Sequence, residues 1–148
     1  MSKNIENFFS PEEKRRIVDA IKRAEKETSG EIRLHLANRC KGNVLDCAAF
    51  IFEKLEMHKT EQRNGVLFFL AVKDRKFAIL GDAGINAAVP DNFWDEVKEQ
   101  VLAEFKQERF AEGLEKGILM AGEKLKEFFP YQSDDVNELP DDISFDNN

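Results

Sequence analysis

Ile17, Ile21 and Ala24 share one helical face behind the run Ser10-Pro11-Glu12-Glu13. Ser10 can cap the first turn, Pro11 suits the first helical position and Glu13 completes a capping box. A helix is therefore predicted over residues 11–28, stopped by Thr28-Ser29-Gly30. Ile32, Leu34 and Leu36 then alternate with Arg33 and His35, which predicts a strand with one wet or partly covered face. Asn43 can cap a second helix, whose inner face carries Val44, Ala48, Ile51, Phe52 and Leu55. The unbroken apolar run Gly65–Val72 reads as a strand buried on both faces. A short turn at Asp74-Arg75 joins it to Lys76–Leu80 as an antiparallel hairpin.

Pro90-Asp91-Asn92 opens a third predicted helix with Trp94, Val97, Val101 and Phe105 inward. A fourth covers about residues 110–128, with Phe110, Leu114, Ile118, Ala121, Leu125 and Phe128 on its inner face. Gly113, Gly117 and Ala121 form a small-residue stripe that lets this helix approach the sheet closely. The order is α-β-α-β-β-α-α. A strand–helix–strand crossover makes the first two strands parallel. The doubly buried strand needs helices on both faces, which predicts a three-layer α/β/α sandwich around a small mixed sheet.

Charge divides the chain. All 22 basic residues precede Pro130, together with 23 of the 29 acids. Residues 1–130 are thus close to neutral and form the expected domain. Residues 131–148 form an acidic tail of low hydrophobicity, expected to be mobile, although Val136, Leu139, Ile143 and Phe145 could dock. Sequence-independent nucleic-acid binding runs on excess positive charge, so no nucleic-acid partner is expected. No apolar stretch approaches membrane-spanning length, and the polar N-terminus has no signal-peptide core, so a cytoplasmic, membrane-free protein is expected. Cys40 and Cys47 have neither zinc nor thioredoxin spacing and are expected to be reduced.

Enzyme signatures are absent: no thiol-phosphatase loop, no Asp-x-Asp-x-Thr, no Gly-x-Ser-x-Gly, no Walker loop and no Gly-x-Gly-x-x-Gly. His35 and His58 have no partner at metal-ligand spacing and are read as a strand-face and a loop residue. Strand direction is more informative. The starts of the two parallel strands and the end of the third lie at one edge of the sheet. Ser29-Gly30-Glu31, Arg63-Asn64-Gly65 and Gly81-Asp82-Ala83-Gly84 should therefore converge. They offer Glu31 and Asp82 carboxylates, the Asn64 amide and the carbonyls of Gly81 and Gly84, with Asp91 a further candidate from the start of the third helix. Such hard oxygen donors suit Ca²⁺, or Mg²⁺ more weakly. The alternative is that the glycines serve turns and the acids are solvated.

Arg63-Asn64-Gly65-Val66-Leu67, Asp74-Arg75-Lys76 and Gly81-Asp82-Ala83-Gly84-Ile85, in this order, resemble the TPM domain family of thylakoid-lumen and bacterial proteins. Thr28-Ser29-Gly30-Glu31-Ile32 and residues 105–117 fit the same pattern, so the resemblance covers about residues 9–130. It implies an α/β/α sandwich in a short bacterial member. It also implies calcium binding, as in some family members, with Asp82 and Asn64 in family-typical loops. The expected function is a divalent-metal-binding module serving a protein partner. The alternative implied by the family's phosphatase label is a weak, metal-assisted phosphomonoesterase.

Overall fold

The computed structural model describes residues 5–132 and 137–146. Helix α1, Pro11–Glu25, starts on the predicted capping box: Ser10 Oγ accepts from Glu13 N at 3.1 Å, and Ser10 N donates to the Glu13 carboxylate at 2.9 Å. Strand β1, Glu31–Ala37, leads to α2, Val44–Lys54, which Asn43 caps through Leu45 N at 2.8 Å. Strands β2, Gly65–Ala71, and β3, Lys76–Gly81, form the hairpin. Its turn is closed by Arg75 in the left-handed region, at φ 54°.

Two elements differ from the expected order. Asp82 caps a short additional helix, α3, Ala83–Ala88. The next helix, α4, begins only at Asp95 and runs to Lys106, because Pro90 is followed by turns through Trp94. Helix α5, Phe110–Lys126, completes the main domain.

The sheet has the order β3-β2-β1-β4, where β4 is Ser144–Phe145, with β1 and β2 parallel and β2 and β3 antiparallel. Every residue of β2 is buried, as its composition required. Ile32, Leu34, Leu36, Val66, Phe68 and Leu70 face the layer built from α1, α4 and α5. Leu67, Phe69 and Ala71 face the α2 side, with Ile51, Phe52 and Met57. This is the three-layer sandwich. The small-residue stripe acts mainly between helices: a methyl added at Gly117 would lie 2.4 Å from Val101 of α4 but 3.3 Å from Phe68 of the sheet.

Cys40 and Cys47 are joined in a disulfide with Cα atoms 6.1 Å apart, against the expectation of free thiols. The turn before α2 folds back so that the first turns of the helix present Cys47 to the buried Cys40, a meeting that linear spacing does not encode. Closing so short a loop contributes about 2–3 kcal/mol in the chain-entropy account. Disulfides persist in oxidising compartments, which does not favour the cytoplasmic expectation.

The tail also differs. Residues 137–146 run along the outer edge of β1 as a strap. Ser144–Phe145 form β4, parallel to β1 and opposite His35 and Leu36. Leu139 is buried in the α2-side core, and Ile143 and Phe145 pack on the other. Val136 lies outside the described residues. The apolar positions of the strap are too sparse to define a strand alone; the open edge of β1 supplies the missing partner.

Candidate functional site

The three loops converge as strand direction required. Glu31 N donates to Asn64 O at 3.0 Å, Asp82 N to Gly65 O at 2.9 Å and Gly84 N to Arg63 O at 3.0 Å. Asn64 is the hub. Its N–H donates to Thr60 Oγ1 at 3.1 Å and its Nδ2 to Ser29 O at 2.7 Å. Its Oδ1 is buried and has no hydrogen-bond partner among the described residues.

Asp82 is 5% exposed but already engaged. Arg63, held at φ 51°, brings Nε and an Nη to the two carboxylate oxygens at 2.8 Å each. Asp82 Oδ1 also accepts from Ala83 N at 2.7 Å. Burial opposes ionisation of Asp82, but the Arg63 guanidinium and the Ala83 N–H outweigh it and hold the pKa below the usual carboxylate range. To ligate a cation, Asp82 would have to give up Arg63. The Gly81 carbonyl accepts from Asn86 Nδ2 at 3.0 Å. Gly84 serves close approach, since a methyl there would lie 2.2 Å from Gln62 O. Asp91 lies exposed in the turns before α4, outside this bond network. Arg63 was not legible as a site residue; opposite charges on two converging loops were the signal.

Glu31 contrasts with Asp82. It is 4% exposed, and its carboxylate accepts from Leu139 N of the strap at 2.6 Å. Its pKa is pushed up to about 7 by burial, against the Leu139 N–H and with the neighbouring Glu138 carboxylate adding to the rise. Glu25, at the end of α1, was not a sequence candidate. It accepts from Ile32 N at 3.0 Å, and burial and a hydrogen bond with Asp141 push its pKa up to about 9. Glu25 and Glu31 border a cavity of about 170 Å³ whose wall includes Ser29, Gly30 and Asn137. Among the described residues neither carboxyl forms a salt bridge.

These shifts set a pH dependence. A carboxyl whose folded pKa is raised stabilises the fold while protonated. Its contribution is complete below the ordinary 4.5 and is lost as pH rises through about 7 for Glu31 and about 9 for Glu25. His35 acts in the opposite sense: burial lowers its pKa, so its contribution is lost as pH falls below 6.5. The melting temperature is expected to decline on the alkaline side of neutrality, and Glu25→Gln should flatten that decline. An equal slope in the variant would show that Glu25 is not the cause.

His35 is 3% exposed and stacked on Phe69, with ring centroids 6.0 Å apart. Its Nε2 lies 2.9 Å from Asp146 Oδ1 and its Nδ1 2.9 Å from Ser144 Oγ. A carboxylate can only accept, so Nε2 carries the hydrogen and Nδ1 accepts from the Ser144 hydroxyl. The polarity matches a hydrolase relay, but the ring is buried and both partners belong to the strap. Here the relay fastens the strap, helped by Asn38 N, which donates to Asp146 Oδ2 at 2.9 Å.

Among the described residues no three His, Cys, Asp or Glu side chains stand together as a metal-holding group, and no helix is long and apolar enough to cross a membrane. The chain is similar to the BA42 protein of the psychrophilic bacterium Bizionia argentinensis, solved by NMR, with 48% identity and a TM-score of 0.91 over 99% of this chain and 100% of that one. It shares its fold with the N-terminal domain of a P. gingivalis protein, at 18% identity and a TM-score of 0.67 over 84% of this chain and 82% of that one. It also shares it with the N-terminal domain of the cg2496 protein of Corynebacterium glutamicum, at 15% identity and a TM-score of 0.57 over 96% and 82%. No curated protein matches. The TPM domain family model matches residues 3–124, nearly the whole main domain, and the chain belongs to the TPM domain family.

Proposed function

We propose that this TPM domain binds a divalent cation, Ca²⁺ in preference to Mg²⁺, at the end of the sheet where the three loops meet, as an accessory module for a protein partner. The observation that carries the reading is Glu31: a buried carboxylate beside Glu25, facing the acidic Glu138, with no salt bridge among the described residues. A cation would take the place of the protons that burial favours on these carboxyls. The unpartnered Asn64 Oδ1 is a second hard donor at the same junction. Ca²⁺ accepts six to eight oxygens in flexible geometry, so waters and loop carbonyls would complete its shell. Asp82, Gly81, Gly84 and Asp91 remain further candidates, Asp82 only if it exchanges Arg63 for the ion.

The test is thermal melting of the full chain across a calcium series, for wild type, Glu31→Gln and Asp82→Asn. A ligand that binds only the native state raises stability with its concentration, by about 2.7 kcal/mol at a hundredfold excess over Kd. Wild type is expected to shift upward, and Glu31→Gln to lose the shift. An absent shift in wild type, or a full shift in Glu31→Gln, overturns the assignment.

A further inference from the structure

The carboxyl end of β1, away from the three loops, opens into a second cavity, of about 400 Å³. That is an ordinary size for a small-molecule site, and open α/β sheets seat their ligands at the carboxyl ends of parallel strands. Ile51 of α2 and Phe69 of β2 give it apolar surface, joined by Phe50, which at 66% is the most exposed large apolar side chain among the described residues. Two cations and two acids also line it. Asp146 is taken up by His35 and Asn38 N. Arg39 spends one Nη on Asp74 Oδ1 at 3.0 Å and is otherwise exposed. Lys41 and Asp46 form no ion pair among the described residues. The charges left open are therefore two cations and one acid. The disulfide stands in the same wall, and its two sulfurs differ. Cys47 is half-buried and lines the cavity, whereas Cys40 is buried. Cys40 is also pinned through its main chain. Its N–H donates to Asp74 Oδ2 at 2.7 Å, and its carbonyl accepts from Lys76 Nζ at 2.9 Å.

We infer that this cavity receives a small acidic thiol of the glutathione class, which exchanges with the Cys40–Cys47 disulfide. The two carboxylates and one ammonium of such a molecule match Arg39, Lys41 and Asp46, and its sulfur then meets Cys47. The incoming thiol gives its proton to solvent and attacks Cys47 Sγ as a thiolate. The new S–S bond forms as the bond to Cys40 Sγ breaks, and that electron pair leaves on Cys40 as a thiolate. No outside oxidant or reductant is consumed. Exchange depends on access, so the sulfur at the cavity is attacked and the buried one departs. The Lys76 ammonium, held on the Cys40 carbonyl, stabilises the departing thiolate. Because Asp74 and Lys76 keep Cys40 in place, its thiolate stays beside the mixed disulfide and can expel the acidic thiol again. Cys47 is thus the acceptor and Cys40 the resolving cysteine. The inference goes beyond cation binding and uses the other end of the sheet, so neither reading needs the other.

The test uses the oxidised full chain in calcium-free buffer, with excess glutathione or its dimethyl ester and rates compared per thiolate. Samples trapped with iodoacetamide are mapped by mass spectrometry. Glutathione is expected on Cys47 and the alkyl label on Cys40, with exchange roughly tenfold faster than for the ester. Lys41→Glu, a change at an exposed position, should bring the two rates together. S-methylglutathione, which cannot exchange, should shift the amides of Lys41, Asp46 and Phe50 and slow the reaction of glutathione. Reduced Cys40→Ser treated with glutathione disulfide should retain glutathione on Cys47, whereas reduced wild type should shed it and close the disulfide. A disulfide that glutathione leaves intact, glutathione found on Cys40, equal rates for acid and ester, or no effect of S-methylglutathione overturns the proposal. Retention of glutathione by wild type overturns the resolving role of Cys40.

Discussion

Truncation after Gln132 is expected to lower the melting temperature by about 10 °C or more. Leu139 is 8% exposed beneath α2, and losing a buried side chain of this size costs about 2–5 kcal/mol. Each kcal/mol moves the midpoint of a chain this long by roughly 2–4 °C. Removal of the strap also takes both hydrogen-bond partners from His35 and the Leu139 N–H from Glu31. Those groups are buried, and an unmade buried hydrogen bond costs about 1–3 kcal/mol. Loss of the Glu25–Asp141 and Glu31–Glu138 hydrogen bonds adds to this cost. The bared edge of β1 is a pairing template, so the shortened chain should also self-associate on a sizing column. A truncated chain that melts at the wild-type temperature as a monomer would show that the strap does not hold the fold.

Gly84→Ala is expected to destabilise by about 3 kcal/mol or more. A methyl at this position would lie 2.2 Å from Gln62 O and 2.6 Å from Arg63 O, both main-chain atoms that cannot turn aside like a side chain. Overpacking of this kind usually costs about 1–3 kcal/mol, and more where backbone must move. The displaced atoms belong to the loop that carries Arg63, so the Arg63–Asp82 ion pair should loosen with it. Gly42 is the control. It sits at φ 83°, and a methyl added there would meet nothing within 4 Å, so Gly42→Ala should cost only the left-handed backbone penalty of about 1–2 kcal/mol. Urea denaturation of both variants gives the comparison, and equal midpoints would remove close packing as the role of Gly84.

Local chemistry made most of the main domain legible. The Ser10 capping box, the Asn43 cap, the alternation in β1 and the apolar run of β2 each specify their element with short-range signals, and all four appear as read. The convergence of the three loops followed too, because strand direction alone places their ends. α3 was missed because Asp82 and its following residues carry a cap without a long apolar period.

What only the tertiary structure decided are the pairings between distant segments. The partner of Asp82 depends on Arg63 adopting a left-handed backbone in a separate loop, and neither residue encodes the other. Cys40 finds Cys47 only because the turn before α2 folds back. The burial of Glu25 and Glu31, and the pKa shifts that follow, arise from a strap more than 100 residues later in the chain. That strap looks like free acidic tail in isolation because its stabilising partners, the open edge of β1 and the His35 imidazole, lie elsewhere. The sequence by itself thus determined which elements form and at which end of the sheet the polar loops gather; long-range packing determined which carboxylates are neutralised there and which remain uncompensated.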